Sequence, residues 1–351
     1  MAKRHWLEQV NVRLPVIQAP MAGAQDEELA CAVASAGGLG SLPCALLSPA
    51  AVSEQVAKYR QRTQAPVNLN FFCHHSPPPS LDALAAWRAR LEPYYRELKL
   101  EEAGTPGPTR RPFDADMCAV VEALRPEVVS FHFGLPDAEL VERVRATGAK
   151  VVASATTVAE ARALEANGAH AIIAQGAEAG GHRGTFLAEA GDDAELGTFA
   201  LVPQIVDAVR LPVIAAGGIA DARGVAAARA LGASAVQVGT AYLHCAESRI
   251  SVAHRRALER AQDDSTRVTN VLTGRRARGL VNRLMRDFGL VVPSVPPFPL
   301  AAMPLAPLRA RAEAAERGDF SPLWAGQAAA LRSAASAREL TELLATGWPQ
   351  P

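Results

Sequence analysis

A regular alternation of short apolar segments with alanine-rich helical stretches constrains the fold more than any other feature of this chain. Eight segments have the apolar and β-branched character of buried strands: 14–19, 39–42, 66–71, 128–133, 150–153, 171–175, 212–216 and 235–238. Eight strand–helix units predict an α/β protein with a closed (β/α)8 barrel, also called a TIM barrel. An open doubly wound sheet is the alternative, but no dinucleotide-type glycine fingerprint follows the first strand.

Three glycines indicate where helices end within this repeat. Gly148, Gly168 and Gly232 each stand two or three residues before a strand of the pattern. Glycine adopts at little cost the left-handed backbone conformation that ends many helices. We therefore expect a tight turn from helix into strand at each of these positions.

Two segments do not fit the repeat, and we interpret both as excursions over the mouth of the barrel. Residues 74–113 contain three consecutive prolines, a helix-like run over 81–100 and an exit rich in glycine and proline. Residues 241–308 contain a basic helical stretch followed by the proline-rich run 293–307. Since ligands of such barrels bind at the carboxyl ends of the strands, both excursions are placed to cover a bound ligand.

The domain division that we predict follows from these excursions. The barrel takes in residues 1–240, including the excursion 74–113, and resumes at about 309–351. Residues 241–308 form a smaller, mainly helical and proline-rich lid or substrate domain, inserted before the last barrel helix.

The last barrel helix is expected near the end of the chain. Ser321 and Pro322 have the character of an N-cap and a first-turn proline. A helix that begins there has Trp324, Ala328 and Leu331 on one side, and we expect it to be the eighth barrel helix.

Charge and composition argue against several classes of partner. The chain has 36 basic and 36 acidic side chains, and zero net charge disfavours nucleic acid or an anionic membrane as the main partner. No apolar run approaches the roughly 20 residues of a membrane span, and no secretion signal is visible. The five cysteines are widely spaced, which disfavours a disulfide framework or a metal site. We expect a cytoplasmic protein without a bound metal.

The ends of the seventh and eighth strands carry glycines that leave backbone amides uncovered. Gly217 and Gly218 follow the seventh strand, and Gly239 and Thr240 follow the eighth. Barrels of this type often bind phosphate beyond these two strands, and exposed amides bind anions. The two turns together predict a phosphate site, although each turn alone is also explained as a tight connection.

Two other strands end in amide side chains, and the first strand runs into a turn whose backbone can pass against a flat ring. Asn70 ends the third strand and Gln175 ends the sixth, while the first strand runs into the turn 20–22. An amide offers both donors and acceptors, which suits the heterocyclic edge of a flavin. A single amide is as well explained by loop capping, but several that converge on one mouth favour a ligand.

The loop that follows the sixth strand, residues 176–185, combines four glycines with one histidine. Glycines let the backbone approach a flat or anionic ligand, and imidazole titrates near neutral pH, so His182 is the candidate catalytic residue. His132, at the end of the fourth strand, either lines the same mouth or is a buried hydrogen-bonded histidine. Arg183 either meets an anionic ligand or stabilises the loop.

These motifs resemble those of the nitronate monooxygenase family, formerly called 2-nitropropane dioxygenases. The matching stretches cover nearly the whole chain in the expected order: 18–21, 68–72, 130–134, 178–184, 216–219, 237–240 and 324–327. The loop with His182 is quite specific, whereas the glycines after the seventh and eighth strands occur in many FMN barrels. The family implies an FMN-binding barrel with a smaller helical domain over its mouth.

The resemblance also implies the residues of the site. His182 corresponds to the active-site histidine of the family, and His132 and Arg183 stay candidates for contact with substrate. Carried over motif by motif, the FMN contacts are Pro20, Met21, Ala22, Asn70, Gln175, Gly180, Gly217, Gly218, Gln237, Val238, Gly239 and Thr240.

The implied reaction is the oxidative denitrification of an alkyl nitronate. FMN takes electrons from the nitronate, dioxygen reoxidises the flavin, and the products are a carbonyl compound and nitrite. Propionate 3-nitronate, a metabolic toxin, is the substrate that the resemblance best suggests, with detoxification as the role. His182 then either holds the anionic nitro group or acts as a base toward a neutral nitroalkane. A monomer and a homodimer both stay open.

Two other functions stay open from the sequence. A flavin-dependent enoyl-acyl-carrier-protein reductase has a similar barrel and a similar loop of glycines and histidine, but it needs NAD(P)H and an acyl-chain site. The second is a barrel that holds FMN or a phosphorylated ligand without catalysis, although His182 and the polar mouth argue against it.

Overall fold

Eight parallel strands form a nearly closed barrel at the centre of the fold, and the predicted fold class is confirmed. The computed structural model describes residues 5–100, 110–187, 195–332 and 334–348. The barrel strands are β1 Val16–Gln18, β2 Gly40–Pro43, β3 Val67–Phe72, β4 Val128–His132, β5 Lys150–Ala155, β6 Ala171–Gln175, β8 Val213–Ala216 and β9 Ala235–Val238, with a separate short strand β7 at Gly181–His182. Their hydrogen-bonded order is β1-β9-β8-β6-β5-β4-β3-β2, and a bridge from Ile17 to Leu39 brings β1 back toward β2.

Helices follow most of the barrel strands. Among the described residues they are α1 His5–Gln9, α2 Glu27–Ala36, α3 Pro49–Arg62, α4 Leu81–Glu97, α5 Ala115–Leu124, α6 Ala138–Ala146, α7 Val158–Ala166, α8 Thr198–Ala208, α9 Ala222–Ala230, α10 Thr240–Leu243, α11 Val252–Glu259, α12 Arg283–Phe288, α13 Ala306–Glu313 and α14 Ala337–Ala345. Gly148, Gly168 and Gly232 follow α6, α7 and α9 with φ angles of 93°, 93° and 92°, so the predicted glycine turns are confirmed. None of the described helices is long and apolar enough to cross a membrane.

The segment that was expected to start the eighth barrel helix has another structure. No helix begins at Ser321. Instead, Trp324 forms an antiparallel bridge with Gly279, and the backbone N–H of Gly326 donates to Thr240 Oγ1 at 2.9 Å. These tertiary contacts hold the segment against the carboxyl end of the barrel and override its local helix signal.

The helix that packs in the eighth position is α14. It begins with a capping box, in which Ser336 Oγ accepts from the N–H of Glu339 and the Glu339 carboxylate accepts from the N–H of Ser336. The buried face of α14 packs against α2 and α9 on the outside of the barrel. The prediction of a final barrel helix is therefore right about its existence and wrong about its start.

A second layer lies over the carboxyl ends of the barrel strands. It contains a three-stranded antiparallel sheet in the order β10-β11-β7, where β10 is Thr266–Thr269 and β11 is Ala277–Leu280. Side chains from α4, α12 and α13 share one apolar cluster in this layer, which includes Trp87, Leu91, Tyr95, Leu284, Met285 and Leu308. The helix of the first excursion thus packs with the second excursion. The division into domains stays a prediction, and we propose that α4 is counted with the second layer.

The loop that carries the candidate histidine, here called the strand-six loop (residues 176–185), joins the two layers. Its strand β7 pairs antiparallel with β11, so that His182 lies opposite Ala277 and Gly181 lies opposite Arg278. One end of the loop therefore continues a barrel strand, while its centre is part of the sheet above the barrel.

Candidate active site

A cavity at the carboxyl ends of the barrel strands, here called the mouth cavity, brings most of the expected site residues together. Those of the expected cofactor contacts that line it are Pro20, Met21, Ala22, Asn70, Gln175, Gly180, Gly217, Gly218, Gln237, Gly239 and Thr240. His182 and His132 line it as well, whereas Val238 and Arg183 do not. No group of three His, Cys, Asp or Glu side chains within the described residues is arranged to hold a metal ion.

Val238 faces away from the mouth cavity. Its side chain is buried in the barrel core, and its carbonyl oxygen accepts a hydrogen bond from the N–H of Ala19 at 2.7 Å. Successive residues of a strand point to opposite faces, so Gln237 lines the cavity and Val238 packs behind it. This placement does not support the expected contact between Val238 and a cofactor.

Backbone amides at the ends of β8 and β9 have no hydrogen-bond acceptor in the described part of the chain. They belong to Gly217, Gly218, Gly239 and Thr240. The φ angles of the first two are 111° and 72°, a left-handed backbone in which neighbouring N–H groups can point to one side. This corner of a (β/α)8 barrel is a common phosphate site, and the unpaired donors fit an anion there.

Two side-chain amides in the mouth cavity have polar atoms that the described chain does not use. Asn70 Nδ2 donates to the carbonyl and hydroxyl oxygens of Ser130 at 3.2 and 3.0 Å, and Asn70 Oδ1 has no partner among the described residues. The amide of Gln237 has no partner among them either. Both residues therefore have hydrogen-bonding atoms available for the edge of a heterocyclic ligand.

Gln175 lines the mouth cavity, but the strand-six loop engages its side chain. Nε2 donates to the carbonyl of His182 at 3.0 Å, and Oε1 accepts from the N–H of Gly184 at 2.7 Å. These two bonds hold the loop back against the end of β6. A contact of Gln175 with a cofactor stays a prediction.

The imidazole of His182 lies among aromatic rings. Its centroid is 5.1 Å from that of Phe298, 5.4 Å from that of Trp324 and 6.3 Å from that of Phe72. Nε2 is hydrogen-bonded to Thr273 Oγ1 at 3.0 Å, and no described residue hydrogen-bonds to Nδ1. The ring is thus anchored through one nitrogen, and the other is available for chemistry.

Burial keeps the histidines of this region uncharged. Burial lowers the pKa of His182 well below its usual value, and the positive charges of Arg110 and Arg275 act in the same direction. Burial also lowers the pKa of His132 and of His74 to about 4. Because an imidazole is neutral above its pKa, the positive charge around the mouth cavity at pH 7 comes from arginines.

His132 supports the strand-six loop and offers no nitrogen to a ligand. Its Nε2 lies 3.1 Å from the carbonyl oxygen of His182, and its Nδ1 lies 3.1 Å from Ser154 Oγ. A carbonyl oxygen only accepts, so Nε2 donates, and Nδ1 accepts from the serine hydroxyl. Both nitrogens are occupied, which favours the buried hydrogen-bonded histidine over the substrate contact.

Arg183 lies beneath the strand-six loop, outside the mouth cavity. Its side chain is only 1% exposed, and Nη1 donates to the carbonyls of Gly176 at 2.9 Å and of Gln175 at 3.1 Å. A guanidinium that donates to the carbonyls at the start of its own loop stabilises the conformation of that loop. This placement favours loop stabilisation over contact with an anionic substrate.

Sequence reasoning missed three residues that surround His182: Arg110, Thr273 and Phe298. Arg110 and Phe298 belong to the two excursions, where glycine and proline leave no periodic pattern to relate a position to the barrel. The bond between Thr273 and His182 joins residues 91 positions apart, and no local signal reports it. The one signal in the sequence was Arg110 itself, a charged residue at the end of an excursion that was expected to cover the ligand.

The fold and the mouth cavity define the class of this protein, a (β/α)8-barrel enzyme with its ligand site at the carboxyl ends of the strands. A family model described as Nitronate monooxygenase matches residues 4–347. The chain therefore belongs to the nitronate monooxygenase family and is an oxidoreductase. The resemblance drawn from the motifs is confirmed.

Similar proteins match this chain over nearly its whole length. Nitronate monooxygenase of Paraburkholderia phytofirmans is 41% identical over 97% of this chain and 94% of the relative. Nitronate monooxygenase of Pseudomonas aeruginosa is 41% identical over 95% and 96%. Nitroalkane oxidase from Streptomyces ansochromogenes superposes with a TM-score of 0.89 at 39% identity, over 97% of each chain. FabK from Thermotoga maritima superposes with a TM-score of 0.73 at 28% identity, over 99% and 96%.

Replacement of Arg183 tests its assignment to the loop. Arg183→Met removes the guanidinium donor from two buried carbonyl oxygens, so we expect the free energy of unfolding to fall by about 2–4 kcal/mol. Denaturant unfolding measures this change, and Arg311→Met, on the exposed face of α13, is the control. Unchanged stability combined with a raised KM for an anionic substrate would show that Arg183 contacts substrate instead.

Proposed function

We propose that this chain is an FMN-dependent monooxygenase that converts alkyl nitronates and dioxygen into a carbonyl compound and nitrite. Propionate 3-nitronate is the proposed substrate, and detoxification is the proposed role. Membership of the nitronate monooxygenase family supports the class of reaction. The structural observation that carries the proposal is the state of His182, which is neutral, anchored at Nε2 and available at Nδ1.

The residues of the mouth cavity fit a flavin mononucleotide. The unpaired amides of Gly217, Gly218, Gly239 and Thr240 offer four donors to a terminal phosphate. The amide of Gln237 offers a donor and an acceptor to the edge of the ring. When bound, a flavin supplies the redox chemistry by taking electrons from the electron-rich nitronate and returning them to dioxygen.

His182 holds the nitro group of the substrate in this proposal. A nitronate oxygen accepts hydrogen bonds, so Nδ1 carries the proton and donates. Nε2 then accepts from the hydroxyl of Thr273, which lies 3.0 Å away. Thr273 therefore orients the ring toward the substrate, and its hydroxyl, which can donate or accept, is compatible with a proton on Nδ1.

The low pKa of His182 favours nitronates over neutral nitroalkanes. A strongly depressed pKa makes the imidazole a weak base, poorly matched to removing a proton from carbon. A nitronate has already lost that proton and needs only to be bound. The anion-holding role is therefore preferred to the role of base.

A second function is the NAD(P)H-dependent reduction of an enoyl-acyl-carrier protein. The likeness to FabK from Thermotoga maritima favours it, but the TM-score and the identity are both lower than those with the nitroalkane oxidase. Anaerobic addition of NAD(P)H separates the two functions, since only the reductase needs the flavin to be bleached rapidly by the nicotinamide.

Oxygen consumption tests the proposed function. We expect flavin-loaded protein to consume oxygen and release nitrite when propionate 3-nitronate is added without NAD(P)H. His182→Asn should retain flavin and lower kcat/KM by about tenfold or more, because the donor to the nitro group is displaced. No oxygen uptake by the unaltered protein would contradict the proposed function, and rapid anaerobic bleaching by NAD(P)H would favour the reductase.

Replacement of Gln237 tests the flavin site. Gln237→Met removes an amide that no described residue uses, so the dissociation constant of FMN should rise about 5–10-fold while the stability of the apoprotein changes little. Fluorescence titration of the deflavinated protein measures this constant. Gln204→Met, the same change at an exposed position of α8, is the control. An unchanged constant would remove Gln237 from the flavin site.

The pH profile tests the charge of His182. With preformed propionate 3-nitronate, kcat/KM should stay constant within about twofold from pH 6 to 8, because a group with a lowered pKa is already neutral across this range. His132 and His74, with pKa values of about 4, gain charge only well below pH 6. A transition near the ordinary imidazole pKa of about 6.5 would show that His182 titrates as an exposed residue does.

A further inference from the structure

Arg110 brings a positive charge into the mouth cavity that no acidic side chain among the described residues neutralises. Of the arginines that the structure describes, Arg110 and Arg309 line the cavity. Arg309 forms an ion pair with Glu313, with 2.8 Å between Nε and Oε1. Arg110 has no ion pair and no hydrogen-bond acceptor within the part of the chain that the structure describes. Its guanidinium lies over the ring of Phe298.

The carboxylates that line the mouth cavity are engaged elsewhere. Glu178 accepts from the backbone N–H and the hydroxyl of Thr198 at the start of α8, at 2.8 and 2.9 Å. Glu313 bonds to Arg309 and also accepts from the hydroxyl of Ser321 at 2.7 Å. Among the described residues, Arg110 is therefore the one charged side chain of the cavity wall that has no hydrogen-bonding partner.

A guanidinium withdrawn from water in this way points to an anionic ligand. Burial, with the nearby charge of Arg309, lowers the pKa of Arg110 to about 10, so the side chain stays protonated at pH 7. A partly desolvated charge is costly unless a partner of opposite charge compensates for the lost hydration. A carboxylate is well suited to this, because the guanidinium fork can donate two parallel hydrogen bonds to it.

Arg110 lies beside His182 and away from the corner at β8 and β9. The guanidinium carbon of Arg110 is 5.6 Å from the ring centroid of Phe298, and that ring is 5.1 Å from the imidazole of His182. The other rings that contact Phe298 come from the ends of β3 and β4 and from the residues next to them. The unpaired backbone amides and the unpaired guanidinium thus serve different parts of the mouth cavity.

We propose that Arg110 binds a carboxylate of the substrate and so selects nitronates that carry a second anionic group. This inference rests on the proposed function, since it takes His182 as the group that holds the nitro end. A hydrogen bond places the donor atom of the protein about 3 Å beyond the acceptor atom at each end of the substrate. A three-carbon chain with an anion at each end is therefore long enough to reach both side chains across Phe298.

The same geometry explains why an uncharged substrate is disfavoured. A simple alkyl nitronate can bond to His182, but it leaves the guanidinium of Arg110 without a partner and removes the water that would otherwise solvate it. A site with a buried polar group rejects the analogue that lacks the matching group more strongly than an apolar pocket does. Arg110 acts on substrate selection and has no part in the electron transfer.

Steady-state kinetics with two nitronates of equal carbon number test this proposal. The unaltered enzyme should prefer propionate 3-nitronate to propyl-1-nitronate by about tenfold or more in kcat/KM. Arg110→Gln should raise KM for propionate 3-nitronate by about tenfold or more, with kcat less affected, and leave propyl-1-nitronate within about twofold. Arg110→Lys, which keeps the charge but not the fork, should recover part of the loss.

A matched control and the melting temperature separate recognition from folding. Arg311→Gln removes one positive charge from the exposed face of α13 and should leave kcat and KM unchanged for both substrates. Equal losses with both nitronates, or an unchanged KM for propionate 3-nitronate in Arg110→Gln, would overturn the assignment. If Arg110→Gln lowers the melting temperature, the proposal is tested with Arg110→Lys instead. A KM raised only for the carboxylate substrate supports the proposal, and equal losses in kcat/KM with both nitronates overturn it.

Equilibrium binding decides the role of Arg110 separately from the proposed reaction. Succinate is an unreactive dianion with the spacing of propionate 3-nitronate. In calorimetric titrations of the flavin-loaded protein, Arg110→Gln should weaken succinate binding about tenfold, and Arg311→Gln should leave it unchanged. If the unaltered protein consumes no oxygen with either nitronate, the proposed function fails. The titration then still shows whether Arg110 selects a dianion, and equal affinities in the two proteins overturn it.

Discussion

The hydrogen bonds that hold the strand-six loop against the end of β6 determine the geometry of the site. Gln175 bonds to the backbone of His182 and of Gly184, and the guanidinium of Arg183 returns to the carbonyls where the loop begins. His132 adds a second side-chain bond to the carbonyl of His182, and pairing of β7 with β11 holds the loop from the other layer. A loop rich in glycine is thereby held in one position. Contacts with the barrel below and with the sheet above together fix the position of the His182 imidazole.

Burial then determines the chemistry of the residues so placed. The same packing that orders His182, His132 and His74 lowers their pKa values, so none of the three carries a charge at neutral pH, and His182 and His132 contribute hydrogen bonds. Arginines keep their charge under comparable burial because their intrinsic pKa is far higher. The proposed roles follow from this difference: the uncharged imidazole of His182 binds the reacting group, and the unpaired guanidinium of Arg110 binds a permanent anion.

Much of the fold and the outline of the site were predictable from the sequence. The strands β6 and β9 have the bounds that the apolar pattern predicts, and most residues expected around a cofactor line one cavity. This works because a parallel barrel brings all the carboxyl ends of its strands to one mouth. The direction of a side chain beyond the strand end was not predictable. For His132 and Arg183 the sequence left a ligand contact and a structural role both open. In the structure, the polar atoms of both side chains bond to the strand-six loop and to residues beside it, because a buried unpaired group would be costly.

The sequence by itself determined the strand–helix alternation, the glycine turns, the family and the choice of His182 as the candidate residue. Each of these depends on motifs of residues close together in the chain. Only the tertiary structure decided the start of the last helix, the free nitrogen of His182 and the unpaired state of Arg110. Trp324 pairs with Gly279, and Thr273 bonds to a histidine 91 residues away, so these outcomes depend on contacts between distant segments. Burial and pairing set hydrogen-bonding state and charge, and both arise only when the second layer closes over the mouth of the barrel.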